Sequence, residues 1–132
     1  MANPSKAKGT RAESRVVKYL RGLGYGVRRK ALAGSKDEGD IEFYDAPRLF
    51  EPLTIEVKAG KQTANPSRGQ LEEWLRQSWE EAQNCEQVCA ILIVVRYNRK
   101  LEDADVWCQA YDGDGNWITD HMWFDEWAKQ YS

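Results

Sequence analysis

The run VCAILIVVRY, residues 88–97, decides the fold. It is apolar almost throughout, rich in β-branched residues, and far too short to span a membrane. The alternation of polar and apolar side chains that marks a strand with one wet face is missing. Such a run reads as a central strand covered on both faces, which requires helices above and below a sheet. The predicted class is therefore α/β.

Upstream of that run, residues 67–84 place Leu71, Trp74, Leu75, Trp79 and Ala82 on one helical stripe. Before this helix, LTIEVKA (53–59) alternates as a strand, with Ile55 and Val57 on one face and Glu56 and Lys58 on the other. DIEFYD (40–45) is a second strand, with Ile41 and Phe43 opposite Asp40, Glu42 and Tyr44, and YGVRRKALA (25–33) is a first. Residues 6–23 form an amphipathic helix through Ala12, Val16, Tyr19, Leu20 and Leu23, stopped by Gly22 and Gly24. Downstream, DVWCQAYD and NWITDHMW make a hairpin across GDG, and a short helix follows near 124–130. The expected order is α-β-β-β-α-β, then a hairpin and a helix, on a mixed β-sheet flanked by helices.

The 132 residues fit one domain, 1–132. No apolar run approaches 18 residues, and MANPSKAKGTRAESR lacks the apolar stretch of a signal peptide. The expectation is a soluble cytoplasmic protein without a membrane partner, in the host cytoplasm if the origin is viral. Cys85, Cys89, Cys108 and the single His121 do not have zinc-ligand spacing, and the cysteines read as free thiols. DGDGN, from Asp112 to Asn116, starts like a calcium loop, but Trp117 and Trp123 stand where that loop needs Gly and Glu; it reads as a hairpin turn.

The formal net charge of −2 conceals an asymmetry. Residues 1–36 hold ten Lys/Arg and the single acid Glu13, a net +9; the rest hold nine basic and twenty acidic side chains, a net −11. A segment this positive, with Lys8, Arg11, Arg15, Arg29, Lys30 and Lys36 in it, suits a polyanion, because phosphate contacts release condensed counterions. A solvated basic helix has the same composition. If the second and third strands pair as a meander, Asp40 emerges on the face of Glu56 and Lys58. Two carboxylates beside an ammonium suit Mg²⁺, which keeps several waters and uses one or two protein carboxylates plus phosphate oxygens. Glu-x-Lys alone is weak evidence, since an exposed sheet face with paired charges looks the same.

Gly39-Asp40, followed sixteen residues later by Glu56-Val57-Lys58, resembles the metal-dependent PD-(D/E)xK nuclease motif. The preceding KGTRAESRVVKYLRGLGYGVRRKALAGSK (8–36) is similar to the start of archaeal-type Holliday junction resolvases, and the likeness covers about the first half of the chain. Gly39 stands where a proline is usual, the loop before Asp40 adds Asp37 and Glu38, and Ser14 stands where an arginine usually follows the helix glutamate. The resemblance implies a restriction-endonuclease-like fold. It implies an active site of Glu13, Asp40, Glu56 and Lys58, with Mg²⁺ or Mn²⁺ on the three acids. It also implies a homodimer that cuts four-way DNA junctions symmetrically, with Arg29 and Ser35 at the DNA near the cut and Gln70 at a polar position of the second helix. The same chemistry would serve a nuclease acting on flaps, ends or duplex sites, and the same fold a DNA-binding protein that does not cut.

Overall fold

The computed structural model describes residues 4–30, 40–45, 54–84, 89–111, 114 and 117–130. Among them the elements are α1 (Pro4–Gly22), β1 (Gly26–Arg29), β2 (Ile41–Asp45), β3 (Thr54–Lys58), α2 (Arg68–Asn84), β4 (Cys89–Val94), β5 (Asp105–Tyr111), β6 (Trp117–Trp123) and α3 (Phe124–Lys129). Single 3-10 turns lie at Lys61–Thr63 and Leu101–Asp103. The strands form one open mixed sheet in sequence order, β1 to β6. All neighbours pair antiparallel except β3 and β4, which are parallel and joined through α2. A parallel pair needs such a crossover, because its strands start at the same end of the sheet.

Strand β4 shows why the apolar run decides the architecture. Ile91 and Ile93 face α1, in a core with Ala12, Val16, Leu20, Val27, Ile41, Ile55 and Val57. Leu92 and Val94 face the other way, against Trp74 of α2. All four are at most 2% exposed, and removing each from water stabilises the fold by roughly 1.5–3 kcal/mol. Alternation is lost because both faces are interior. The first layer is completed by Phe124 and Trp127, both fully buried, and by Tyr25, whose hydroxyl donates to the Ala128 carbonyl at 2.6 Å.

Helix α1 ends where expected, on Gly24 at φ +98°, a left-handed conformation that favours glycine. Helix α2 differs from the expected stripe. Its buried residues are Trp74, Ser78, Glu81 and Ala82, whereas Leu71, Leu75 and Trp79 are only partly covered. These positions follow a single face at spacings of four, three and one, so the helical period is as predicted and the polar members sit on the stripe. Of the remaining tryptophans, Trp127 is core and Trp123 is half exposed. The expected hairpin forms between β5 and β6; its turn lies outside the described residues apart from Asp114. No helix among the described residues is long and apolar enough to cross a membrane.

Candidate active site

Among the described residues, strands β2 and β3 pair Ile41 with Ile55 and Glu42 with Thr54. One step beyond, Asp40 is pinned between both neighbouring strands. Its backbone N–H donates to the Ile55 carbonyl, and its carbonyl accepts from Lys30 N–H, both at 2.8 Å. The carboxylate then takes over the ladder, with Oδ2 accepting the Val57 N–H at 2.8 Å. This fixes the Asp40 side chain on the sheet face that carries Glu56 and Lys58.

Glu56 is 6% exposed. Its Oε1 lies 3.2 Å from Lys58 Nζ, while Oε2 is buried without a hydrogen-bond partner. An ionised oxygen in that position is costly unless a cation meets it. Burial, and after it the facing charge of Glu56, push the Asp40 pKa up to about 8; the Val57 N–H opposes this and the charge of Glu13 adds to it. The two carboxyls face each other closely enough to hydrogen-bond once a proton is present. Like charges at this range cannot both ionise freely without a counter-charge. Glu13 approaches from α1 and is held by Arg29, whose Nε donates to Glu13 Oε2 at 2.8 Å.

Glu13, Asp40, Glu56 and Lys58 therefore come from α1, the start of β2 and β3 to one end of the sheet. Among the described residues no group of three or more His, Cys, Asp or Glu is arranged to hold a metal ion. The converging donors are the Asp40–Glu56 pair, with Glu13 engaged by Arg29. The orphaned Oε2 and the mutual repulsion of the pair fit a divalent cation that takes two protein carboxylates and keeps water or phosphate in its other positions.

A comparison with family models finds no match, and neither does one with curated proteins.

The other predicted positions are dispersed. Arg11 and Arg15 are exposed on α1. Lys30 sits at the end of β1, 4.0 Å from Glu42, which also accepts from Arg28 at 2.7 Å. Gln70 lies partly buried in the first turn of α2, its backbone N–H capped by Ser67 Oγ at 3.1 Å. Ser35, Lys36 and the side chain of Lys8 lie outside the described residues. Arg29, expected at DNA, donates its Nε to Glu13.

Sequence reasoning missed a second charged cluster on the same sheet face. Asp105, 4% exposed, accepts from Arg96 Nε at 2.5 Å and meets His121 Nε2 at 2.7 Å. The His121 ring lies against Trp107, with centroids 4.5 Å apart. Only the strand register of β5 and β6 with β4 brings these residues together, and no spacing in the chain announces it. Among the described residues, Cys108 offers no competing nucleophile. Burial pushes Cys108 up to about 12, which suppresses its thiolate.

Proposed function

We propose that this chain is a metal-dependent, structure-selective endodeoxyribonuclease with a restriction-endonuclease-like fold, hydrolysing phosphodiesters of four-way DNA junctions. The observation that carries the chemistry is the unpartnered, buried Glu56 Oε2 facing Asp40 beside Lys58. The choice of a four-way junction, and of a homodimer to cut it in two places, rests on the resemblance of residues 8–58 to archaeal-type Holliday junction resolvases.

A bound Mg²⁺ or Mn²⁺ would polarise the scissile phosphate and make a bound water more acidic. The protein's own part is positional and electrostatic. Val57 N–H orients the Asp40 carboxylate, and Lys58 neutralises one oxygen of Glu56, leaving the other for the cation. Lys58, about one-fifth exposed, can turn its remaining N–H donors to an attacking water or to charge growing on the phosphate. Arg29 keeps Glu13 poised at the flank.

The test is a substrate panel: a mobile four-way junction, a flap, a linear duplex and a single strand, each with Mg²⁺ and with EDTA. Paired nicks near the branch point, only with Mg²⁺, are expected. Cutting confined to flaps or ends would change the substrate and keep the chemistry. Binding without cutting in Mg²⁺ or Mn²⁺ would overturn the proposal.

A further inference from the structure

Beside the carboxylates, on the outer flank of α1, a cavity of about 370 Å³ is lined among the described residues by Ser14, Val17, Lys18, Arg21 and Arg29. Three of the five are cationic and none is acidic. The two guanidiniums are held in the same manner. Arg21 Nε donates to the Val27 carbonyl at 2.9 Å, and Arg29 Nε donates to Glu13 Oε2 at 2.8 Å. Anchoring through Nε fixes each fork and leaves its Nη groups as donors, the arrangement that suits a tetrahedral oxyanion. Lys18 is exposed at the rim and supplies a mobile point charge.

The cavity shares a wall with the candidate active site, because Arg29 touches Glu13. An anion there sits one side chain away from the acids and is not the scissile group itself. A second cavity is unsuited to phosphate. It has a volume of about 750 Å³ and is lined among the described residues by Glu102, Asp103, Asp125 and Glu126 together with Arg99 and Arg96, and Arg96 is already committed to Asp105.

We infer that the Ser14–Lys18–Arg21–Arg29 cavity seats an internal phosphodiester of the DNA strand next to the one being cut, so that the backbone runs along α1 and past the β1 edge. This rests on the nuclease reading for the identity of the strand, and on the cavity's own geometry for the phosphate.

The shared chemistry is a phosphate oxyanion, which a terminal monoester would also present, so the test separates the two. Binding is measured in EDTA against salt for a four-way junction closed by hairpin loops and ligated, which has no ends, and for an open junction bearing 5′-phosphates. Lys18→Ala and Arg21→Gln should each lower the slope of log K against log salt by about 1 on both substrates, whereas Lys129→Ala, on α3 and outside the lining of this cavity, should not. Lys18 is exposed, so its variant carries the test even where Arg21→Gln fails to fold. An unchanged slope for folded Lys18→Ala overturns the inference, as does a loss seen only with 5′-phosphorylated ends. Metal-dependent cutting with unchanged slopes sinks the cavity alone; lowered slopes without any cutting sink the nuclease and keep the cavity.

Discussion

Replacing Asp40 by asparagine should make the metal-free protein more stable at neutral pH and above, and increasingly so as pH rises. The Asp40 pKa is raised from 3.8 to about 8, so between these values the folded state holds a proton that the unfolded chain releases. Stability contributed by this group is therefore complete at low pH and is lost as pH climbs through that window. At pH 7 the loss approaches 1.36 kcal/mol for each of 3.2 pH units, about 4 kcal/mol. The asparagine does not titrate and its Oδ1 can still accept the Val57 N–H, but its amide is another buried polar group that gives back part of the gain. A net of about 2 kcal/mol remains, or roughly 6–10 °C in Tm for a chain of this length. The assay is thermal denaturation of both proteins in EDTA from pH 4 to pH 8.5. Because the amide cost does not vary with pH, Asp40→Asn should melt below its parent at pH 4, the two Tm values should cross near pH 5, and the variant should lead by a growing margin above that. An Asp40→Asn protein that melts at or below its parent at pH 8, or a difference that does not vary with pH, refutes the reasoning.

Other consequences follow from the same geometry. Added Mg²⁺ or Mn²⁺ should raise the Tm of the parent by neutralising the facing carboxylates, and should leave Asp40→Asn nearly unmoved, as read in parallel melts. Glu56→Gln and Lys58→Ala should each reduce cleavage at least about 100-fold while junction binding in EDTA stays within about threefold, since basic contacts elsewhere supply most of the affinity. Lys58→Ala cutting at the parental rate would remove its assigned role. Trp127→Ala, at a fully buried position packed on Phe43 and Phe124, should cost about 3–5 kcal/mol in urea denaturation. Asp105→Ala strands Arg96 and His121 at a largely buried position and should cost about 1–3 kcal/mol in the same assay.

The parts of the fold that are legible in the sequence are those set by periodicity. Residues 88–97 announce a strand with two interiors, and the alternation in 53–59 sets Glu56 and Lys58 on one face, which Asp40 joins once the second and third strands pair. What periodicity cannot express is which polar groups the packing consumes. Ser78 and Glu81 occupy the buried stripe of α2 because their positions fall on it, whatever their chemistry. Asp105 is interior because register delivers Arg96 and His121 to it. The charge of Arg29 points to DNA, yet this residue shares the α1 side of the sheet with Val27 and meets Glu13 first. A local pattern fixes direction, and only the assembled sheet fixes distance.

The bond from Val57 N–H to its carboxylate makes Asp40 a clasp as well as an acid. The β1–β2 ribbon is fastened to β3 partly through this bond, which continues the pairing of Ile41 with Ile55 and Glu42 with Thr54. An alanine there would open this seam as well as remove a ligand, leaving an amide unsatisfied, so its inactivity would say little about chemistry. Asparagine keeps the clasp shut. At this position only a change that leaves the acceptor in place can tell a broken catalyst from a loosened sheet.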